Sequence, residues 1–177
     1  MHNVTLETDR LILRPLTVDD AETVFVWASD PAVNRYMSYP LHTDMEVTRQ
    51  WLRSVEQDSE VQAALENYTF GFVRRSDGLL IGSGGIRRQE DDTWDFGYNL
   101  RRDCWGRGYT TEAIKAIIDF ARTQRGAKVF AAHHAVDNPA SGRVMEKCGL
   151  TFRHYGEYSK FDGSETFRAK FYRLELP

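Results

Sequence analysis

Thr93-Trp94-Asp95-Phe96-Gly97-Tyr98-Asn99-Leu100 alternates bulky and small or polar side chains, and after a short link comes Trp105-Gly106-Arg107-Gly108-Tyr109-Thr110-Thr111-Glu112. A period of two predicts a strand with Trp94, Phe96, Tyr98 and Leu100 on one face and Asp95, Gly97 and Asn99 on the other. Beyond the glycines, Ala113, Ile114, Ile117, Ile118 and Ala121 recur at helical spacing as far as Gly126, a natural C-cap. A strand that enters a helix through Gly-x-Gly brings unpaired amides to a helix N-terminus, which is an anion site. Gly106 and Gly108 tolerate φ > 0 and expose the backbone to a phosphate, Thr110 or Thr111 offers a hydroxyl, and Arg107 adds charge. Taken alone the pattern also suits an ordinary tight turn. It lacks the Gly-Lys-Ser/Thr ending of a Walker loop and is not Gly-x-Gly-x-x-Gly.

Toward the C-terminus, a strand is expected at 128–134 and a helix at 139–148, with Pro139 in its first turn and Gly149 closing it. Asn138 and Ser141 are ordinary cap residues at such a start. A long hairpin follows, 151–161 and 165–175, turning at Asp162-Gly163. Toward the N-terminus, Leu11-Ile12-Leu13 with Leu16 reads as a strand. Thr17-Val18-Asp19-Asp20 then caps a helix carrying Ala21, Val24, Phe25 and Ala28, which stops before Pro31. Thr43-Asp44-Met45-Glu46 matches a capping box and predicts a helix over about 44–58 with Val47, Trp51, Leu52 and Val55 on one face. Tyr68–Val73 and Leu79–Gly82 flank Ser76-Asp77-Gly78 as a hairpin. The whole is an α+β pattern around a mixed sheet.

A chain of 177 residues, 41% hydrophobic and 28% charged, buries roughly 70% of its unfolded surface in one core, so a single domain over 1–177 is expected. Net charge is −3, and no Lys/Arg run exceeds two, which argues against nucleic acid as a partner. Cys104 and Cys148 make no disulfide framework, and no Cys/His grouping has zinc spacing, so no metal is expected. There is no membrane-spanning run, and Met1 to Glu7 lacks the basic start and apolar stretch of a signal peptide; a cytoplasmic location is expected.

The Gly-x-Gly loop entering a helix, followed by a second strand, Asn138-Pro139-Ala140-Ser141 and the helix end Glu146-Lys147-Cys148-Gly149, resembles the GNAT superfamily of acyl-CoA-dependent N-acetyltransferases. The nearest likeness is to its RimJ/RimL branch, named for ribosomal-protein N-terminal acetyltransferases. Glu7 to Leu16 is similar to that branch's opening strand and 31–40 to its substrate-side loop. The resemblance implies a sheet splayed between two parallel strands, with the pantetheine arm of acetyl-CoA in the gap. Backbone groups near Leu100 and Arg101 would pair with the arm, Trp105 through Thr111 would wrap the pyrophosphate, and Asn138 would meet the arm from the second strand. Where the family usually has Arg or Gln three residues before the first loop glycine, this chain has Asp103, for which Arg102 or Arg107 would compensate.

The reaction so implied is direct attack of an amine on the thioester in a ternary complex. It needs a neutral amine, a polarised carbonyl and a proton for the leaving thiolate. Asp95 stands where several members carry a basic glutamate and is the first candidate base, unless it merely pairs with an arginine of the sheet. His133 and His134, on opposite faces of the next strand, are alternatives. Many members use a helix tyrosine as acid seven residues after the asparagine; Met145 is there instead. The resemblance points to Ser141, with Tyr98 and Tyr109 as further phenols. A covalent route through Cys104 is disfavoured, since no histidine is near it in the chain. Helix 44–58, the loop 34–40 and the terminal hairpin are expected to frame the acceptor. Glu56, Asp58, Glu60, Glu90, Asp91 and Asp92 suit a cationic acceptor, a protein N-terminus, a polyamine or an aminoglycoside, although solvated surface charge is the simpler account. A homodimer is left open. The rival readings are a binding-only acyl-CoA sensor, kept open by Met145, and a nucleotide phosphotransferase, disfavoured by the missing Walker lysine.

Overall fold

The computed structural model describes residues 4–57, 64 and 66–177. Its strands are β1 (Leu6–Glu7), β2 (Leu11–Arg14), β3 (Asn67–Arg74), β4 (Leu80–Arg88), β5 (Thr93–Leu100), β6 (Val129–Ala135), β7 (Thr151–Ser159) and β8 (Thr166–Glu175). They form one sheet in the order β1-β2-β3-β4-β5-β6-β8-β7. Every neighbouring pair is antiparallel except β5 and β6. The terminal hairpin therefore enters the sheet by its second strand, with β8 against β6 and β7 at the edge. The strand after Asp77-Gly78 is longer than expected: Ser83 to Arg88 continue β4 because β5 pairs along them, Gly82 opposite Leu100 through to Arg88 opposite Trp94.

The helices are α1 (Ala21–Ala28), α2 (Pro31–Asn34), α3 (Met45–Gln57), α4 (Tyr109–Arg125) and α5 (Pro139–Lys147). The predicted stripe of α4, Ala113, Ile114, Ile117, Ile118 and Ala121, packs into the main core with Trp94, Phe96 and Leu100 of β5 and Tyr68, Phe70 and Phe72 of β3. A second core joins Leu16, Val24, Trp27 and Leu52 to Leu80 of β4. Val24 is buried as its spacing predicts, but Trp27 rather than Phe25 supplies the bulk there. The first turn at Thr17 forms a capping box with Asp20, whose carboxylate is also held by Arg14. At α3 the cap is Asp44, which accepts from the Val47 amide at 3.1 Å; Thr43 does not fill that role. Asp58 and Glu60 lie outside the described residues.

Beside the second core, buried His42 shares a 2.8 Å hydrogen bond with Thr48 and meets the edge of Trp51. Burial holds its pKa below the usual histidine value.

Candidate active site

β5 and β6 pair only at Thr93–Val129, Trp94–Phe130 and Asp95–Ala131. Past Asp95 they separate, while β5 stays bonded to β4 as far as Leu100. Arg101 donates its amide to the Ile81 carbonyl at 2.8 Å, on the β4 side. Alternation along an antiparallel strand then turns the backbone groups of Leu100 and Tyr98 toward the gap. At Arg101 the amide is given to Ile81, and the carbonyl accepts from Cys104 with one lone pair still open. At Leu100 the carbonyl already accepts from the Trp105 indole at 2.8 Å, which leaves the amide to the gap.

The loop leads from this gap to α4. Gly106 and Gly108 have φ of 73° and 80°, the left-handed region that glycine adopts without a Cβ clash. The amides of Gly106 to Thr111 donate to no group among the described residues; the first bonded one is Glu112, to the Gly108 carbonyl. Residues 105–108 are exposed, and Thr110 and Thr111 are half-buried in the first turn. Six free amides at a helix N-terminus, with the macrodipole behind them, make a cradle for an anion.

The charges around the loop are arranged differently from the sequence expectation. Asp103 is turned to Arg101, 3.0 Å away, and that partner holds its carboxyl low. Arg102 is not free to compensate, since both its Nε and Nη2 donate to Asp30. Arg107 is exposed and makes no ion pair among the described residues. Arg10, which the sequence reading passed over, reaches the loop from the turn before β2 and donates to the Arg107 carbonyl at 2.9 Å. Only the apposition of distant segments reveals it, so no local pattern signals it.

Across the gap, Asn138 begins α5 without its side chain capping the helix, and its carbonyl accepts the Ser141 amide instead. Its carboxamide is thus not consumed by the helix. Ser141 and Tyr98, two separate sequence candidates, are brought together: the serine hydroxyl donates to the Tyr98 oxygen at 2.9 Å, and the phenol donates to the Ser141 carbonyl at 2.9 Å. Burial drives the Tyr98 phenol far above its usual pKa, against the opposing effect of Ser141, so it holds its proton at neutral pH. Met145 is buried in the core. Tyr109 is instead drawn to the far end of the loop, under the Arg10 guanidinium at 4.4 Å. Cys104 is buried beside Arg74, and burial raises its thiol.

The two histidines diverge as their alternation predicts. His134 is buried on the α5 side. Its Nδ1 donates to the Ala135 carbonyl, and Nε2 has no partner among the described residues. The ring lies so close to α5 that a Cβ on Gly142 would come within 2.6 Å of Nε2. His133 shares the opposite face with Asp95 and Ala131. It lies between the rings of Tyr158 (4.8 Å) and Phe171 (5.0 Å). The loss of water around the ring lowers its pKa, and the nearby charge of Asp95 partly restores it.

Asp95 pairs with Arg87 on the adjacent strand at 3.2 Å, with 42% of its side chain exposed. Asp95 is thus half-buried, as its place in the alternation predicts, and it also has the arginine partner that the alternative reading allowed. Beyond Asp95, Gly97 is exposed with open space where a side chain would stand, and Asn99 donates to the Tyr39 hydroxyl at 2.7 Å. Burial pushes that phenol up to about 12. The loop 34–40 closes onto the terminal hairpin: Tyr158 donates to the Tyr36 carbonyl, Phe161 to that of Ser38, and Arg35 forms a two-pronged pair with Glu165. Loop, hairpin and the Gly97 face thus meet on one side of the gap, opposite Tyr98 and Ser141. No cluster of metal-binding side chains occurs among the described residues, and no helix there is long and apolar enough to cross a membrane.

The acetyltransferase (GNAT) domain family matches residues 10–151. Among curated proteins, YoaA of Bacillus subtilis (strain 168), an uncharacterized N-acetyltransferase, is 32% identical over 147 residues, 82% of this chain and 81% of its own. An uncharacterized N-acetyltransferase of Bacillus licheniformis, p20, is 29% identical over 164 residues, 90% of this chain and 89% of its own. Among solved structures, RimL, a ribosomal alpha-N-protein acetyltransferase in complex with coenzyme A, superposes with a TM-score of 0.82 at 15% identity, covering 98% of both chains. The GNAT acetyltransferase from Bacillus anthracis gives 0.81 at 21% identity over 97% of this chain and 98% of its own. The splayed parallel pair, the glycine loop and these matches lead to one conclusion: the chain belongs to the GNAT family of acetyl-CoA-dependent N-acetyltransferases.

Proposed function

We propose that the chain moves the acetyl group of acetyl-CoA to a primary amine, a protein N-terminus or a small cationic amine, by direct attack in a ternary complex. The observation that carries this reading is the opening of β5 from β6 past Asp95, which ends at six unbonded amides. In it, the Gly106–Thr111 amides with Trp105 and Arg107 hold the diphosphate, and the Leu100 and Tyr98 backbone and the Asn138 carboxamide hold the arm. RimL is a ribosomal-protein acetyltransferase, which supports a protein N-terminus as one acceptor class.

On the Gly97 face, the exposed His133 takes the ammonium proton, because partial loss of water around its ring lowers its pKa and leaves it neutral at pH 7. Asp95 acts on it as a fixed charge. Across the gap, the Ser141 hydroxyl, which donates to Tyr98 in the resting site, turns to protonate the leaving thiolate.

Gly108→Val tests the loop. At φ 80° a branched side chain is strained and fills the approach to the amides, so acetyl-CoA affinity is expected to fall at least about tenfold. Asn138→Ala should weaken acetyl-CoA more than an adenine nucleotide lacking the arm. Calorimetry with both ligands reads these, beside thiol release with a panel of amines. Unchanged acetyl-CoA affinity in folded Gly108→Val refutes the assignment.

A further inference from the structure

Arg10 and Glu112 are separated by 102 positions in the chain, yet they form the tightest cluster at the glycine loop. One Glu112 oxygen accepts from the Thr8 hydroxyl at 2.6 Å and from the Arg10 amide at 2.8 Å; the other accepts from Arg10 Nε at 2.7 Å. The same guanidinium donates through Nη1 to the Arg107 carbonyl and lies over the Tyr109 ring. Its Nη2 has no partner among the described residues and is 3.5 Å from where a Gly108 side chain would begin.

The arrangement answers two physical problems of the loop. Two left-handed glycines give a chain segment with little conformational preference of its own, and free amides converge on an anion only if something outside the loop holds them. Glu112 also places a carboxylate in the first turn of α4, a good position for the helix but a poor one beside a bound diphosphate. Burial pushes this carboxyl up, but the hydrogen bonds from Thr8 and Arg10 outweigh it and keep it ionised below the usual range. Only 18% of its side chain is exposed, so water does little to screen it.

We infer that Arg10 is a positioning residue for the diphosphate: its fork ties Glu112 to the Arg107 carbonyl, which holds the Gly106–Thr111 amides convergent and neutralises the one carboxylate of the helix start. This rests on the proposed role of the loop. Lysine cannot replace the fork, because a single ammonium does not span both acceptors in that planar geometry.

The test compares ligands with and without the diphosphate. In Arg10→Met, affinity for coenzyme A is expected to fall about tenfold, the scale of one lost charge-assisted contact. Turnover of S-acetylpantetheine, which lacks the diphosphate, should keep its kcat/KM. Arg10→Lys should not restore coenzyme A affinity, while adding Glu112→Gln to Arg10→Met should recover part of it by removing the exposed carboxylate. Wild-type affinity in Arg10→Met, equal losses for both ligands, or full rescue by lysine would each overturn the inference. If Gly108→Val also binds coenzyme A normally, the loop reading itself has failed; if Gly108→Val weakens binding and Arg10→Met does not, only the role of Arg10 has.

Discussion

His133 lies two residues beyond Ala131, the last β6 partner of Asp95, and on the same face, and their exchange of roles is measurable. A ring whose pKa lies below the ordinary value gives an acid limb in kcat/KM centred below about 6.5. His133→Gln is expected to cut kcat about 10²-fold and abolish that limb. Asp95→Asn removes the charge that raises the ring, so the limb should move to lower pH while turnover at pH 7.5 is largely kept. If Asp95→Asn instead suffers the 10²-fold loss and His133→Gln is silent, the carboxylate is the base. The face of each residue was legible from alternation alone. The pairing of Asp95 with Arg87 was left as one of two alternatives, because period two assigns a side without saying which neighbour on the next strand is in register. The bonds from Ser141 to Tyr98 and from Arg10 to Glu112 were not legible for the same reason: each joins segments that only the folded sheet brings together.

At the level of elements, strands and helices with a strict period appear where expected: β5 and α4 begin and end as the alternation, the glycines and Gly126 imply. Less legible was the polar contact between elements. His42 and Thr48 belong to a loop and a helix whose apolar stripe says nothing of a buried imidazole. His42 sets an acid limit on the second core. Its pKa is lower folded than unfolded, so the unfolded chain binds the proton more readily. The stability it contributes is present in full above about 6.5 and is lost as pH falls through that value toward the lowered one. The melting temperature should therefore drop between pH 7.5 and 5.5. The drop should be smaller in His42→Gln than in wild type. Equal slopes in His42→Gln and wild type would show the ring titrating normally.

Across the whole molecule, the proposed reading has the gap divide donor chemistry from acceptor chemistry. α4, α5, Tyr98 and Ser141 lie on one side, with Gly97, His133, the 34–40 loop and the hairpin on the other. Gly97→Val tests that division, since its Cβ meets nothing within 4 Å and valine suits a strand. Folding and acetyl-CoA affinity should persist, while KM for the amine rises or kcat falls. A matching loss of acetyl-CoA affinity would place Gly97 on the donor side. The hairpin was legible as a hairpin, but the order β6-β8-β7 was not, because a turn at Asp162-Gly163 does not tell which arm is the inner one. That order has a consequence during synthesis on the ribosome. When residue 165 has just emerged, β1 to β5 can already be laid down, but β6 has no neighbour on its outer flank and β7 has none at all. Tyr172 and Ala169, which close the core beyond His134, are still to come. Until β8 is made, β6 and β7 each lack the strand that pairs with them in the finished sheet, so β8 acts as the keystone that closes both edges at once.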